Sequence, residues 1–427
     1  MRNRLLSFIL IYLFIFAAEA TAQKNIDSPY ARFNIGALQP QGSFRSLGMG
    51  GLGAAVRDNS SIYYTNPASY SSFDTLSFVF DFGIDYGKNY IEGSTTKFSS
   101  DDINFHHLVM GFPLAKGWGL ALGIVPVSSG YYSITSAVTS SDPGYDANVG
   151  GYTVTHSGDG AINKVFLGTG IKIGKNFSLG ANLNYLTGQL QRTNQFVFDD
   201  YYSTFHDNSS EILQLKGLNA GFGLQYMASF KKDYFLTLGA AMTLNNNFTT
   251  KYYQLSEKYT AYGVGDTISF TSNNSAKTYI PGTFTAGVSF GKKYKFTAGA
   301  DYVATKWSAS KIPGSTGYAA DTKTFILGGE FIPDKFSNYS FFGRIEYRLG
   351  AHIGTNYLII NGEQVKEKGV SLGLGVPLMR TYSIANIFVD FTNKSGSSLT
   401  SLHNENYLTL GISLNLYDNW FQKRKYD

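Results

Sequence analysis

From Thr75 to Tyr417 the sequence alternates between apolar and polar residues, and a period of two is the period of a β-strand. The first run puts on one face Leu76, Phe78, Phe80, Phe82, Ile84 and Tyr86. The other face carries Asp81 and Asp85, which a barrel places toward a wet lumen. Counting such runs gives about fourteen strands, an even number as in bacterial single-chain barrels.

The connections between these runs differ systematically in length. Short turns at residues 115–117, 174–176, 231–233 and 291–293 alternate with long polar stretches such as residues 129–159, 188–210 and 245–279. Outer-membrane barrels have short periplasmic turns and long extracellular loops. The sequence therefore predicts an all-β fold, a transmembrane outer-membrane β-barrel of about fourteen antiparallel strands over residues 75–417, with residues 418–427 as a periplasmic tail.

The N-terminus has the pattern of a secretory signal. Arg2 and Arg4 precede an apolar run over residues 5–18, and Ala20-Thr21-Ala22 follows as a small-residue cleavage site. The apolar run is shorter than the roughly 20 residues of a spanning helix. We expect residues 1–22 to be a signal peptide and any membrane span to consist of strands.

The composition is unlike that of an ordinary globular domain. Charged residues make up 15% of the chain and aromatic residues 16%, whereas globular domains have about 25% charged residues. Cysteine is absent, so the chain has no disulfide framework. The net charge of +5 is scattered without a basic block, which argues against a nucleic-acid partner. Aromatic residues beside the short turns, such as Trp118 and Phe177, are typical of the girdle at a membrane interface.

Residues 23–74 precede the strands and are rich in glycine and turn residues. Such a segment ahead of a long β-chain suggests a plug. Leu47-Gly48-Met49-Gly50-Gly51, Asp58-Asn59-Ser60 and Asn66-Pro67-Ala68 resemble the N-terminal hatch of the FadL-type outer-membrane transporters, the channels for long-chain fatty acids and aromatic hydrocarbons. The resemblance implies a hatch that includes Phe44, Leu47, Gly48, Met49, Gly50, Asn66, Pro67 and Ala68.

The alternation predicts side chains that project into the lumen. Arg344 and Arg348 fall on inward positions if residues 340–349 form one strand, and they would make ion pairs with the hatch or meet the carboxylate of a bound lipid. Large apolar residues also fall on inward positions: Phe166, Ile326, Phe342 and Phe388. These would pack the hatch, line a pocket for a hydrophobic ligand, or do both.

Pro126 interrupts the third predicted strand, in the run Gly123 to Val127 that includes Val125. Proline has no N–H for the ladder, so we expect a kink or bulge there. In FadL-type transporters a kink in the third strand opens the wall sideways. The resemblance implies that Gly123, Val125 and Pro126 border a lateral exit, whereas an ordinary bulge near the outer rim is the alternative.

Two motifs for catalysis or nucleotides lack their structural context. Residues 48–53 match G-x-G-x-x-G, but no βαβ unit surrounds them. Residues 287–291 match G-x-S-x-G within a strand, where a nucleophile elbow would need a helix to follow. His106 and His107 are expected on opposite faces of a strand, which excludes joint metal binding. We expect no enzyme activity, no catalytic residue, no metal and no cofactor.

The function that the resemblance implies is passive uptake of hydrophobic small molecules such as fatty acids or aromatic hydrocarbons by a monomer surrounded by outer-membrane lipid. A second interpretation is a barrel similar to the PorV type of a bacterial secretion system, which binds and shuttles secreted proteins. The two families share the glycine-rich N-terminus and the Asn-Pro-Ala step. Co-purified lipid would favour transport, and co-purified secreted protein would favour the shuttle.

Overall fold

The computed structural model describes residues 28–92, 97–142, 145–200, 205–231, 233–260, 262–314, 319–360, 362–378, 383–396 and 404–419. The predicted signal peptide (residues 1–22), the start of the predicted hatch (23–27) and most of the predicted tail (420–427) lie outside these ranges.

Fourteen antiparallel strands follow one another around the wall. Three of them are interrupted once, so each of these consists of two consecutive segments that pair with the same neighbour. The strands are β1 (Ser77–Glu92), β2 (Lys97–Ala115), β3 (Trp118–Ser129 and Tyr132–Val138), β4 (Tyr152–Ile173), β5 (Phe177–Phe198), β6 (His206–Phe230), β7 (Tyr234–Thr243 and Asn246–Thr260), β8 (Gly263–Ile280 and Thr283–Lys292), β9 (Phe296–Thr305), β10 (Thr322–Phe331), β11 (Glu346–Ile360), β12 (Glu363–Pro377), β13 (Ile384–Ser395) and β14 (Asn404–Asn419).

The remaining regular elements are short. Before the wall come a 3₁₀ helix (Pro29–Arg32), a two-residue strand (Ala37–Leu38), α1 (Phe44–Leu47) and a second 3₁₀ helix (Pro67–Ser72). A third 3₁₀ helix (Trp307–Ala309) follows β9, and α2 (Phe341–Arg344) precedes β11. In the part of the chain that the structure describes, no helix is both long and apolar enough to cross a membrane.

The first and last strands pair with each other and close the sheet. The β1–β14 ladder runs from Glu92↔Asn404 to Ser77↔Asn419. The predicted fold, a closed antiparallel barrel of about fourteen strands, is confirmed. Strand β14 extends two residues past Tyr417, so Asp418 and Asn419 belong to the wall and not to a tail.

The outer surface of the wall is apolar. Leu327, Leu349 and Ile353 are 63%, 58% and 61% exposed, and large apolar side chains occupy alternate positions of the neighbouring strands as well. The residues between them are buried and small or polar, for example Asp301, Glu330 and Arg348. This alternation, apolar outside and polar inside, is that of a barrel surrounded by lipid.

Several of the expected long loops are strands. β7 and β8 pair from Asn246↔Ile280 out to Thr260↔Gly263, and β11 and β12 pair out to Ile360↔Glu363. The backbone ladder does not require an apolar face, so two polar strands pair as well as apolar ones. The alternation in the sequence fades there because neither face is buried in lipid.

The prediction of one continuous strand over residues 340–349 is wrong. The Ser340 side chain accepts a hydrogen bond from the Gly343 N–H at 3.0 Å and caps the short helix α2, so the strand begins only at Glu346. Phe342 is 72% exposed in the connection between β10 and β11, and Arg344 stacks on the Phe341 ring at 5.8 Å. Neither residue occupies the inward strand position assigned to it.

Because the ladder closes on itself, the native barrel should resist detergent. We expect the unboiled protein to migrate faster on a denaturing gel than the boiled protein, with a circular dichroism spectrum dominated by strand. Equal migration of the two samples, together with substantial helix, would contradict the closed barrel.

Candidate functional site

Residues 28–76, here called the N-terminal segment, pack against the inward-facing side of the wall. Most of their side chains are buried, including Phe44, Ile62, Ala68 and Tyr70, which are fully inaccessible. Their partners are inward residues of strands all around the barrel, among them Gly119, Gly239 and Gly350.

The Asn66-Pro67-Ala68 step anchors this segment. The Asn66 carboxamide oxygen accepts from the Ala68 N–H at 3.1 Å and caps the 3₁₀ helix, and Pro67 occupies the first helical position. The Asn66 amide nitrogen donates to the Ala54 carbonyl at 2.6 Å and lies 3.3 Å from the Ala240 carbonyl of β7. Asn66 therefore links the helix start to both the preceding loop and the wall.

Glycines of the wall permit backbone-to-backbone contact with the N-terminal segment. A Cβ on Gly350 would lie 2.0 Å from the Gly50 backbone nitrogen, and one on Gly180 would lie 2.3 Å from the Pro67 carbonyl carbon. The same holds on other strands for Gly119, Gly170, Gly239 and Gly328, whereas a Cβ on Gly223 would first meet the Asn66 side-chain oxygen, at 2.0 Å. These positions need glycine because any larger residue would push the segment away from the wall.

Three of the predicted inward apolar residues contact the N-terminal segment. The Phe388 ring lies 4.6 Å from that of Phe44, and the Phe166 ring lies 5.7 Å from that of Tyr64. Ile326 clusters with four segment residues: Met49, Leu52, Val56 and Tyr63. Packing against the segment is thus observed for all three, whereas their role toward a ligand stays a prediction.

The other predicted hatch residues lie in α1 and the turn after it. Leu47 is half-buried, whereas Gly48 approaches Gly373 of β12 so closely that a Cβ on it would lie 3.1 Å from the Gly373 Cα. Gly50 has a φ of 76°, which favours glycine, and its N–H donates to Ser371 at 2.9 Å. The glycine-rich motif thus turns sharply against the wall.

A buried ion network joins α1 to the wall. Arg45 donates to both carboxylate oxygens of Glu330, at 2.8 and 3.1 Å, and its Nη1 lies 3.2 Å from Asp58. Arg348 donates to Glu330 at 2.7 Å, to Asn386 at 2.8 Å and to Glu346. All three Arg348 nitrogens therefore have protein partners in this structure. Its predicted contact with a ligand carboxylate stays a prediction.

The buried network shifts the pKa of the Asp58 carboxyl. Burial disfavours its charged form, but the Arg45 guanidinium, the Lys335 ammonium and two hydrogen bonds from Ser60 together lower the pKa of Asp58 below its usual value. A depressed folded pKa stabilises the packed segment above the unfolded pKa, and this stabilisation is lost only as the pH falls through the folded pKa. The network is therefore intact at neutral pH.

His106 and His107 both face inward, which corrects the expectation that they lie on opposite faces. Gly83 of β1 pairs with His107 and Ile84 pairs with Phe105, so His106 is the extra residue of a β-bulge. Their Nδ1 atoms lie 2.9 Å apart, and His107 Nε2 lies 3.3 Å from Asp81. Among the described residues, no group of three or more histidine, cysteine or acidic residues is arranged to hold a metal.

The wall is interrupted between β2 and β3. Their described ladder runs from Ala115↔Trp118 to Leu108↔Ile124 and ends there, although both strands continue and pair with their other neighbours. Beyond this point the Ala37–Leu38 strand of the N-terminal segment pairs with β3, at Ser129 and Ser128. The gap therefore lies on the long-loop side of the wall and is covered from inside.

Pro126 lies next to the end of that ladder. The pairing of β3 with β4 shifts register between Pro126 and Ser128, and β3 is interrupted after Ser129. Val125 is buried, and a Cβ on Gly123 would lie 2.6 Å from the Leu108 carbonyl oxygen. The proline predicted an irregularity at this position, but no sequence signal indicated that the N-terminal segment pairs there.

The closed barrel and its apolar outer face define a FadL-like outer-membrane barrel. A family model named BamG matches residues 4–427. The chain therefore belongs to the BamG family, a FadL-like family of the bacterial outer membrane.

Solved structures with the same fold have low sequence identity to this chain. The CymD monoaromatic hydrocarbon channel is 14% identical (TM-score 0.58), over 91% of this chain and 100% of its own. A Pseudomonas aeruginosa FadL homologue is 13% identical (0.59), over 90% and 99%. The Pseudomonas putida toluene transporter TodX is 13% identical (0.56), over 91% and 100%. No curated protein matches the sequence.

The glycine contacts lead to a test. We expect Gly350→Ala to displace the N-terminal segment, because the added methyl group would overlap the Gly50 backbone. Limited proteolysis in detergent should then cleave within residues 28–76 faster than in the unchanged protein. Gly221→Ala is the matched control, since a Cβ there has no neighbour nearer than 3.7 Å. Equal protection in both variants would show that the close approach is unimportant.

Proposed function

We propose that this protein is a channel for the passive uptake of hydrophobic small molecules, such as fatty acids or aromatic hydrocarbons, with a lateral exit between β2 and β3. The observation that carries the proposal is the end of the β2–β3 ladder at Leu108↔Ile124, beside Pro126. The similar structures include a monoaromatic hydrocarbon channel and a toluene transporter, which supports this proposal.

Entry of a hydrophobic molecule from the long-loop side is supported by an apolar region in that half of the lumen. Inward residues of β4 to β8 and β11 pack there around Tyr30 and Ile35 of the N-terminal segment: Ile162, Leu186, Leu190, Leu213, Leu215, Phe248, Ile280 and Tyr357. A hydrophobic molecule gains about 25 cal/mol for each Å² of apolar surface that it removes from water. Movement of the segment would expose this region to such a molecule.

The exit would be gated by few contacts. Besides the two-residue pairing, the Gln39 N–H donates to the Val127 carbonyl at 2.9 Å and the Gln41 amide donates to the Pro126 carbonyl at 2.9 Å. Each hydrogen bond contributes only about 0.5–1.5 kcal/mol net. The cover over the gap can therefore open without unfolding the wall, and a ligand can leave sideways into the membrane.

The plug idea predicts a change in conductance. Deleting residues 28–76 should turn a nearly non-conducting protein into an open, ion-conducting pore in planar bilayers, because the fourteen strands remain and the lumen empties. Heat-modifiable migration of the deleted form serves as the folding control. A full-length protein that already conducts like a general porin would contradict a plug.

If the ligand leaves between β2 and β3, a disulfide across this gap should block uptake reversibly. The chain has no cysteine, and Ala37 and Ser129 are direct partners, so Ala37→Cys with Ser129→Cys should form a disulfide that fixes the segment over the gap. Uptake of a hydrophobic probe into proteoliposomes should fall several-fold on oxidation and recover on reduction.

The control for this block is Thr193→Cys with Ser210→Cys, a paired site between β5 and β6 away from the gap. Its oxidation should leave uptake unchanged. Replacing Pro126 by Val should extend the ladder and reduce uptake while folding holds. Unchanged uptake in the locked form and in the Pro126 variant would mean that the ligand leaves by another route.

A further inference from the structure

A groove of about 680 Å³ lies on the lipid-facing side of strands β9 to β12. Adjacent strands align their outward residues in rows, so Ala298 pairs with Gly329, and Gly329 in turn with Leu349. The row nearer the short turns is large, with Phe296, Phe331 and Tyr347. The small residues of the middle row therefore leave a depression bounded by larger ones.

The groove continues away from the short turns. In the next row Ala351 lies between Leu327 and Val370, so a second small residue extends the depression. From Phe331 to Leu327 the distance along the strand is about 13 Å at about 3.3 Å per residue. An elongated apolar groove of this kind has the shape of a hydrocarbon chain, and its volume is within the range of small-molecule sites, about 300–1,000 Å³.

A basic cluster stands at the end of the groove nearest the short turns. The connection from β8 to β9 contains Lys293 and Lys295, directly after Lys292, and all three are partly or fully exposed. The Lys295 ammonium lies 5.8 Å from the centre of the Phe331 ring and donates to the Pro333 carbonyl, which places it at the rim of the groove. Asp233 lies beside Lys293.

The membrane supplies the matching chemistry at this depth. Short turns lie on the periplasmic side of outer-membrane barrels, so the cluster stands at the headgroups of the periplasmic leaflet. We propose that the groove and its rim bind an anionic phospholipid, with one acyl chain between Ala298 and Ala351 and the phosphate at Lys293 and Lys295.

The same surface is a poor fit for a protein partner. Stable protein interfaces bury about 1,200–2,000 Å², whereas this depression follows a single narrow path across a few strands. Aromatic residues around the cluster also suit an interface with lipid headgroups. The Lys293 ammonium lies 4.7 Å from the Tyr294 ring, and the Tyr294 and Phe336 rings are 5.0 Å apart.

Native mass spectrometry of the intact barrel, titrated with phosphatidylglycerol and separately with phosphatidylcholine, tests the proposal. We expect preferential retention of phosphatidylglycerol. Lys293→Ala with Lys295→Ala should weaken it about tenfold or more, since each basic residue near a membrane surface contributes measurably to anionic lipid binding. Ala298→Leu with Ala351→Leu should weaken both lipids by filling the groove.

Matched controls make the same changes at other places on the wall. Lys116→Ala with Lys175→Ala removes two lysines from other short turns, and Ala181→Leu with Ala220→Leu adds the same bulk to other wall strands. Both should retain phosphatidylglycerol as the unchanged protein does. If loss of the Lys295 hydrogen bond unfolds the turn, the single variant Lys293→Ala, which keeps that hydrogen bond, tests the same prediction.

Three results would overturn the proposal. These are equal retention of the two lipids by the unchanged protein, unaltered phosphatidylglycerol binding in both the lysine variants and the groove variant, or equal weakening by the control variants. A different outcome would be a membrane protein that co-purifies with the unchanged barrel but not with the Lys293 and Ala298 variants, while the barrel shows no lipid preference. That result would identify the surface as a protein interface instead.

Discussion

The structure depends on how closely two backbones can approach inside a closed sheet. The lumen of a fourteen-stranded barrel is wide enough for one folded segment, but only if the wall offers places without side chains. Gly119, Gly239 and Gly350 provide such places on β3, β7 and β11, strands spread around the barrel. The N-terminal segment thus contacts the wall on many sides. At these glycines the contact is a close approach of two backbones and involves no side chain of the wall.

The buried ion network favours one orientation of α1 relative to the wall. Arg45, Glu330 and Arg348 are all buried, and removing one charged partner from such a group costs about 3–5 kcal/mol because another charge is left alone. Arg45 belongs to the segment whereas Glu330 belongs to β10, so the pair favours one orientation of α1 in the lumen. Near Pro126, by contrast, the segment is held by backbone and amide hydrogen bonds and by one hydrogen bond that the Lys164 ammonium donates to Gln41 at 3.0 Å. The bidentate charge pair thus lies at α1, and the hydrogen bonds to β3 lie at the proposed exit.

The wall was predictable from the sequence because lipid on one side and a polar interior on the other impose a period of two. The buried position of Met49, Asn66 and Ala68 followed from the resemblance to the hatch motif. The inward turn of both histidines did not follow, since an inserted residue such as His106 shifts the period without changing the composition. The connection before Glu346 was misplaced for a related reason: a four-residue helix and a strand share the same short apolar pattern. Pro126 predicted an irregularity beside the gap between β2 and β3, but the pairing of Ala37 and Leu38 with β3 joins residues distant in sequence and leaves no local signal.

The seam between β1 and β14 has a consequence for biogenesis. Ser77 pairs with Asn419, and Ser28 donates to Glu405 at 3.0 Å, so the earliest and latest parts of the described chain meet in the native state. Contacts of such high sequence separation form late because chain entropy opposes them. The last strand can pair with β1 only after the whole chain has been exported. We therefore expect the N-terminal segment to pack before the wall closes or while it closes.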